Sequence, residues 1–389
     1  MHLKTTLVAA ACALGFAGTA LAQNLGVSKT ELKLATIQDL SGPLAPIGKQ
    51  ARDGMQLRVD EANEQGGING RKIVFKVEDD GYDPKRAVLA AQKLVNQEKV
   101  FAIVGHIGTA ANLATFPVMF PKKVINFLPL TAAREMYEPL NPLTYAFIAP
   151  YYQQIREAVP ELVKEKKLSK VCTIYQDDEF GAEVLKGTED GLKDIGMQLV
   201  EKASFKRGAT DFSSQVAKTK AAGCDLVTLG GVIRETIGTV ATSRKMGYNP
   251  VFLGSAASYS ELIPKLGGKA MDGLYATMAA QVPYADDTSN KQLAFWATKY
   301  KTKYNEDGGI FSAYGYIVMD MFLQAVAKAG PNLTTDAFIK TMDGMSYPTD
   351  IFGSAPAHYT ATNHLGSTAW RLSQVEDGKW KVVSPYHTK

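Results

Sequence analysis

The sequence predicts an α/β protein of two lobes, each built on a doubly wound parallel β-sheet. Short apolar runs typical of buried strands alternate with longer amphipathic stretches almost from end to end, which is the order of βαβ units. The alternation falls into two successive sets. The roughly 365 residues that follow an N-terminal leader also exceed the usual size of a single hydrophobic core, so we expect one lobe for each set.

The first 22 residues have the features of an export signal. Lys4 gives a positive start, an uncharged alanine-rich run covers residues 7–20, and Ala20-Leu21-Ala22 is an A-x-A cleavage site. We expect the mature chain to begin near Gln23, in a compartment where ATP and NAD(P)H are not available. Cys12 raises the alternative of a lipid anchor, but it follows alanines inside the apolar run rather than a leucine-led lipobox.

Composition excludes several classes of protein. The chain is 46% hydrophobic and 21% charged, with a formal net charge of +4, which is ordinary for a soluble globular protein. Lysine and arginine are interleaved with acids and form no basic block, so we do not expect nucleic acid as a partner. We also expect no mature segment to approach the ~20 apolar residues of a membrane helix.

The first set of elements begins directly after the leader. Its strands are expected at residues 32–37, 73–77, 100–104, 124–127 and 145–148. The first helix, within residues 48–67, places Ala51, Met55 and Val59 on one face. A second helix starts after Pro84.

The second set repeats the pattern. Its strands are expected at residues 171–175, 198–205, 225–231, 251–255 and 274–278. Helices are expected over residues 182–194, 212–222 and 235–246. A long helix over 312–329 follows only after this set, and beyond Thr349 we expect a polar, irregular tail.

Candidate binding residues lie at the strand-to-helix junctions. Ligands of open parallel sheets bind beyond the carboxyl ends of the strands, where helix N-termini point unpaired N–H groups outward. Thr109 follows one strand and is suited to cap the next helix or to contact a ligand. Thr131 and Arg134 follow another strand. Arg134 is expected to pair with a ligand carboxylate or with Glu135 or Glu138.

Two other polar clusters have alternative interpretations. Tyr151 and Tyr152 lie in a segment expected to cross between the lobes, where their rings are suited to stack on a ligand or to pack under a hinge. Asp177, Asp178 and Glu179 are adjacent acids whose side chains point in different directions. We expect a solvated loop there in preference to a metal site.

Catalytic signatures are missing from the sequence. It contains no G-x-S-x-G elbow, no H-E-x-x-H motif and no Walker A loop, and His358 and His364 are its only loosely spaced histidine pair. We therefore expect no catalytic residue, no metal and no cofactor. Cys172 and Cys224 would remain after export. The compartment permits a disulfide, but the sequence does not establish the required Cα spacing, and we expect two buried, unbridged side chains.

Four motifs occur in a distinctive order. They are SGPLAPIGKQARDGMQLRVDEANEQGGINGRKIVFKVEDDGYDPKRAV, VGHIGTAAN, YQDDEFGAEVLKGTEDGLK and DFSSQVAKTKAAGCDLVTLGG. They resemble the leucine/isoleucine/valine-binding (type I) periplasmic receptors of ABC importers, and the resemblance runs from about Leu32 to beyond Tyr316. Such proteins have two α/β lobes joined by three crossings and close on a ligand like a hinged clamp. The resemblance implies a first lobe of residues 24–148 plus 280–355 and a second lobe of 149–279 plus 356–389.

The resemblance allows the family's ligand contacts to be placed on this sequence one position at a time. The family's polar contact falls on Thr109, its carboxylate patch falls on residues 130–132, and three aromatic positions fall on Phe180, Val232 and Ile47. Together with the junction residues this gives ten expected ligand-binding residues, which are Ile47, Thr109, Leu130, Thr131, Ala132, Arg134, Tyr152, Phe180, Val232 and Ala256.

The departures from the family pattern bear on the ligand. The acid that pairs with the ammonium of an amino acid falls near Ala256, and Glu235 is the nearest alternative acid. An unpaired, desolvated ammonium costs roughly several kcal/mol, so we expect a small aromatic or apolar carboxylate. Branched-chain or related amino acids and amides are the alternatives. The positions of the family's first-lobe disulfide fall on Tyr82 and Gly108, which we expect to leave space beside Thr109.

The expected function is that of a monomeric periplasmic receptor. It would bind a small molecule and deliver it to an inner-membrane ABC permease with its ATPase subunits, without catalysing a reaction. A periplasmic ligand sensor of the same fold is the alternative from another class. An enzyme is the third, and it would need a nucleophile or metal that the sequence does not supply.

Overall fold

The predicted two-lobed α/β architecture is confirmed in a computed structural model, which describes residues 25–287 and 290–388. The expected export signal, residues 1–22, lies outside the described residues. The described chain forms one five-stranded and one seven-stranded sheet. We call the part built on each sheet the first and the second lobe.

The first sheet is entirely parallel, in the order β2-β1-β3-β4-β5. Its strands are β1 (Glu31–Gln38), β2 (Lys72–Asp79), β3 (Ala102–Val104), β4 (Ile125–Phe127) and β5 (Thr144–Tyr145). The connecting helices are α1 (Ala45–Glu64), α2 (Pro84–Gln92) and α3 (Thr109–Met119). All three residues of β3 are buried, as expected of a strand covered on both faces.

The second sheet contains five parallel strands and two antiparallel ones, in the order β14-β13-β10-β9-β8-β6-β7. Its parallel strands are β6 (Val171–Gln176), β7 (Glu201–Phe205), β8 (Leu226–Gly230), β9 (Val251–Gly254) and β10 (Tyr275–Met278). The helices of this lobe are α4 (Tyr151–Lys166), α5 (Glu179–Asp194), α6 (Ser213–Ala221), α7 (Ile233–Lys245) and α8 (Leu262–Gly267).

The chain then returns to the first lobe. It forms α9 (Lys291–Tyr304), α10 (Ile310–Ala329), α11 (Thr335–Met342) and the short pair β11 (Ser346–Tyr347) and β12 (Ala357–His358). Helix α10 packs closely on α1: a Cβ added to Gly54 would lie 2.0 Å from the Ser312 carbonyl oxygen, and one added to Gly315 would lie 2.1 Å from that of Ala51. Only glycine allows this approach of two helix backbones.

The polar tail beyond Thr349 was expected to be irregular, and this prediction is wrong. Strands β13 (Arg371–Glu376) and β14 (Lys379–Val382) form a hairpin on the edge of the second sheet. The hairpin turns at Asp377-Gly378, both with positive φ, and this dipeptide between alternating apolar residues is a strong hairpin signal.

The expected lobe boundary at residue 356 also differs from the structure. Ala146, beside β5 of the first lobe, bonds through its N–H to the His364 carbonyl and through its own carbonyl to the Gly366 N–H. The Tyr145 ring stacks on His364 at 4.2 Å. Residues 357–366 therefore contact the first lobe, and the last crossing runs from there to β13. The other crossings connect β5 to α4 and β10 to α9.

Helix α10 is an exception to the expectation that no mature segment approaches the length and apolar composition of a membrane helix. Its 20 residues are long and apolar enough by length and composition. However, 78% of its most apolar window is buried inside the protein, against α1 and α11. We interpret it as the central core helix of the first lobe.

Cys172 and Cys224 form a disulfide, so the expectation of two unbridged side chains is wrong. Their Cα atoms are 5.9 Å apart, within the usual range for a bridge. Parallel pairing of β6 with β8 places Cys172 opposite Val227 and brings it near the loop that carries Cys224. The sequence separation of 52 residues concealed this proximity.

Candidate functional site

A cavity of about 40 Å³ lies between the two lobes, a position at which small-molecule sites preferentially form. We call it the interlobe cavity. Its lining comes from both lobes and consists of Leu44, Ile47, Tyr82, Ile107, Gly108, Thr109, Leu130, Thr131, Phe147, Ile148, Tyr151, Phe180, Val232, Ala256, Ala257, Phe311 and Tyr314. The carboxyl ends of β3 and β4 and the start of α3 converge on it, as the junction argument predicts.

Seven of the ten expected ligand-binding residues line this cavity, and three do not. Those that line it are Ile47, Thr109, Leu130, Thr131, Phe180, Val232 and Ala256. Whether any of them contacts a ligand stays a prediction. The three that the structure places elsewhere are Ala132, Arg134 and Tyr152, and each has a different partner.

Hydroxyl groups form the polar part of the cavity wall. The Thr109 and Thr131 Oγ1 atoms are 2.7 Å apart and hydrogen bonded, and Tyr151 lines the same cavity with them. Burial raises the pKa of Tyr151, so the phenol stays protonated and able to donate. Thr109 is also the first residue of α3, whose first-turn N–H groups have no partner within the helix. Hydroxyls and a helix N-terminus together favour an anionic ligand group.

Aromatic rings form much of the remaining wall. Phe180 at the start of α5 packs edge-on against Tyr151, with ring centroids 5.1 Å apart. Phe147 packs in the same manner on Tyr314, at 5.7 Å, and Tyr314 on Phe311, at 5.8 Å. This wall offers apolar contact and ring edges to a flat or apolar ligand.

Tyr82 and Gly108, expected to leave space beside Thr109, are in contact instead. A Cβ added to Gly108 would lie 2.9 Å from the Tyr82 ring, and Gly108 has a φ of 93°. The ring therefore fills the space in which a bridge would lie in the family. Tyr82 also contacts the second lobe, because Gln176 Nε2 donates to its hydroxyl at 3.3 Å and the Arg207 guanidinium lies 4.8 Å from its ring centroid.

Arg134 was expected to bind a ligand carboxylate or Glu135 or Glu138, and the structure gives it another partner. Its guanidinium instead donates to Glu183 of α5 across the cleft, with an Nη2–Oε1 distance of 2.6 Å and an Nε–Oε2 distance of 3.1 Å. Tyr152, expected in the site, lies under Arg134 with its ring centroid at 4.0 Å and donates its hydroxyl to Asp190. Both residues join the lobes outside the cavity.

Ala132 is buried beside the cavity without lining it. Its carbonyl accepts a hydrogen bond from the Tyr151 N–H at 2.8 Å. It therefore positions Tyr151, and its expected contact with a ligand stays a prediction.

The interlobe cavity contains no charged group among the described residues that line it. Ala256 occupies the wall where the family's ammonium-pairing acid was expected. Glu235, the alternative acid, accepts a hydrogen bond from the Val232 N–H at 3.2 Å and caps its own helix α7. Burial raises the pKa of Glu235. An ammonium group in this cavity would therefore have no carboxylate partner along the wall.

The acidic triplet at residues 177–179 is not simply a solvated loop. Asp178 caps α5 by accepting from the Gly181 N–H and pairs with Arg207, with an Oδ2–Nη2 distance of 2.5 Å. No cluster of three metal-ligating side chains occurs in residues 25–287 and 290–388. Asp178 thus holds Arg207 over Tyr82.

Sequence reasoning missed several cavity residues, notably Tyr82, Phe147, Phe311 and Tyr314. Phe311 and Tyr314 lie three residues apart on one face of α10, a pattern that also describes an ordinary core helix. Phe147 lies on the crossing between β5 and α4, a segment considered only for its tyrosines. Their convergence arises from the return of α10 to the first lobe.

Comparison with known proteins gives consistent matches over most of the chain. The family described as periplasmic binding protein matches residues 31–379. A leucine-, isoleucine-, valine-, threonine- and alanine-binding protein of Pseudomonas aeruginosa is 25% identical over 324 residues, covering 83% of this chain and 84% of the relative.

Two solved structures share the fold. A fatty acid ABC transporter substrate-binding protein from Thermomonospora curvata has a TM-score of 0.84 at 23% identity, covering 94% of this chain and 95% of that chain. A solute-binding protein of an ABC transporter from R. palustris, in complex with benzoate, has a TM-score of 0.80 at 18% identity, covering 92% and 98%.

Proposed function

This chain belongs to the periplasmic binding protein family, and we propose that it is the receptor of an ABC importer for a small aromatic or apolar carboxylate. The observation that carries the proposal is the lining of the interlobe cavity, in which the hydroxyls of threonines and tyrosines and the start of α3 supply the polar groups and no lining side chain is charged. The carboxylate would accept hydrogen bonds from the one free proton of the Thr109–Thr131 hydroxyl pair and from the first-turn N–H groups of α3. The aromatic wall would enclose the rest of the molecule.

Receptors of this kind work by conformational change. A ligand that touches both lobes stabilises the closed form by its differential affinity for that form. The closed receptor would then be recognised by an inner-membrane permease with its ATPase subunits. We propose that the chain acts in this role as a periplasmic monomer. A curated relative is named as a binding protein and a structural neighbour as the substrate-binding protein of an ABC transporter, which supports a receptor rather than an enzyme.

Branched-chain amino acids are the second candidate ligands. The names of curated relatives favour them, including the Pseudomonas aeruginosa protein. The cavity disfavours them because Ala256 offers no charge to an ammonium group and Glu235 is engaged in capping α7. A buried, unpaired ammonium would cost roughly several kcal/mol of binding free energy.

A thermal-shift screen tests the proposal. The purified protein would be unfolded and refolded to remove carried-over ligand, then heated with benzoate, phenylacetate, aliphatic acids, leucine, isoleucine, valine and the corresponding amides. A ligand at about 100 times its Kd adds about 2.7 kcal/mol, which raises the melting temperature of a chain this long by roughly 3 °C. Stabilisation by the acids but not by leucine, isoleucine or valine is expected. Stabilisation by the amino acids alone would overturn the carboxylate proposal.

A further inference from the structure

A second cavity, of about 290 Å³, adjoins the lobe crossings. We call it the rear cavity. It touches the first crossing at Phe147 and Ile148, the second at Ala279 and the third at Ser367 and Ala369. Phe147 and Ile148 also line the interlobe cavity. The two cavities therefore share one wall.

Helix α10 runs along both cavities. Phe311 and Tyr314 face the interlobe cavity, while Ile317, Met321 and Gln324 face the rear cavity. Their spacing of three, three, four and three residues keeps all five on one stripe of the helix. At 1.5 Å per residue the stripe is roughly 20 Å long. The two cavities are thus aligned end to end along α10.

The side chain of Phe147 lies between the two cavities. The Phe147 ring packs edge-on against Tyr314, at 5.7 Å between ring centroids, and its residue is only 7% exposed. Tyr314 is the last residue of the stripe that faces the interlobe cavity. Beyond it the rear cavity is bounded by the apolar side chains of Ile317, Met321 and Phe352, which suit a hydrocarbon chain, and elsewhere by Asp320 and Asp350.

We propose that Phe147 sets the upper limit on ligand length. The inference rests on the proposed carboxylate site, with the acid group at Thr109 and Thr131 and the apolar part directed towards Phe147. The ring closes the interlobe cavity on short acids. A smaller side chain at this position joins the cavities and admits an acid whose apolar tail continues along α10.

The test uses phenylalkanoic acids, from benzoate to 8-phenyloctanoate, titrated calorimetrically into wild-type protein, Phe147→Ala and Phe147→Leu. Wild-type affinity is expected to fall beyond a short chain length. Phe147→Ala should bind the long acids roughly tenfold or more tightly than wild type does, because each added methylene becomes buried. Phe147→Leu should shift the limit less.

Phe352→Ala is the matched control, because it removes a ring of the same volume from the rear cavity and does not line the interlobe cavity. It is expected to leave the length limit where it is. The same limit in Phe147→Ala and wild type, or wild-type binding of the longest acids, would overturn the inference. If Phe147→Ala does not fold, a length limit in Phe147→Leu equal to that of wild type would likewise overturn the inference. Failure of wild type to bind any acid would instead refute the proposed function.

Discussion

The hydroxyls of Thr109 and Thr131 are the residue-scale feature on which the proposed chemistry depends. Their side chains are buried and hydrogen bonded to each other. Each hydroxyl has one proton, and only one of the two protons lies in the hydrogen bond between them. The other proton is available to an acceptor in the cavity. A carboxylate supplies such an acceptor, and it also benefits from the start of α3.

We predict that Thr109→Ala and Thr131→Ala each weaken carboxylate binding by about 1–3 kcal/mol, because one variant removes the hydroxyl that donates to the buried charged group and the other removes the hydroxyl that orients this donor. Isothermal titration calorimetry with the tightest acid measures the change. Thr115→Ala is the matched control, since the buried Thr115 hydroxyl lies on the same helix but donates to the Asn112 carbonyl. Unchanged affinity in both cavity variants would place the carboxylate elsewhere.

The loop between β1 and α1 shows how an element is held in place at the scale of secondary structure. Asp79, at the end of β2, accepts hydrogen bonds from the Leu40 N–H, the Ser41 hydroxyl and the Gly81 N–H, and it pairs with Arg86. Burial alone would raise the pKa of Asp79, but these interactions outweigh it and lower the pKa to about 2. The carboxylate thus fixes the entry into α1, which carries Ile47 to the cavity.

Asp79→Asn is expected to destabilise the protein in a pH-dependent way. The folded-state pKa lies below the ordinary value of 3.8, so the carboxylate contributes stability above that value and loses it as the pH falls towards 2. The difference in free energy of unfolding between wild type and variant should be constant between pH 7 and about pH 5 and narrow below about pH 4.

Urea unfolding at several pH values measures this difference. Asp307→Asn, at an exposed acid paired only with a lysine of α9, serves as the control and should change stability little. A difference that stays the same down to the lowest pH at which both proteins fold would contradict the proposed role of Asp79.

The Cys172–Cys224 disulfide joins β6 to the loop before β8. Closing a loop of 52 residues restricts the unfolded chain, and such bridges typically add about 2–4 kcal/mol to the free energy of unfolding. We predict that reductant lowers the urea midpoint of wild type and has no effect on a Cys172→Ala/Cys224→Ala double variant. Equal midpoints with and without reductant in wild type would show that the bridge does not form.

At the scale of the whole molecule, contacts outside the cavity join the two lobes. Arg134 pairs with Glu183 across the cleft, and Gln50 of α1 donates to Glu261 of the second lobe at 2.7 Å. The Glu261 carboxylate also accepts from the Ile310 N–H at the start of α10. We expect opening of the lobes to break these contacts, which would bias the equilibrium towards the form that retains a ligand.

Glu183→Gln is therefore expected to weaken every ligand by the same factor, roughly fivefold or about 1 kcal/mol, because Glu183 does not line the cavity. Calorimetry with three ligands of different size measures whether the factor is constant. Glu189→Gln, at an acid of the same helix that pairs within the second lobe, is the control. A loss that depends on the ligand would mean that Glu183 acts inside the site.

The strands and most helices of both sets could be predicted, because burial on both faces leaves a continuous apolar run for a strand and a one-sided apolar stripe for a helix. The hairpin of β13 and β14 was missed although the Asp377-Gly378 turn signals it. The alternation around this turn lies in a polar stretch, where composition alone suggests an irregular tail.

The sequence by itself determined the fold class, the family resemblance and the polar junctions after β3 and β4, because these depend on neighbours along the chain. Only the tertiary structure decided that Arg134 pairs with Glu183, that Cys172 bonds to Cys224 and that Phe147 separates two cavities. Each of these contacts joins residues between about 50 and 170 positions apart or elements of different lobes. A local sequence pattern does not predict such partners, because the packing of whole helices and strands determines which side chains come into contact.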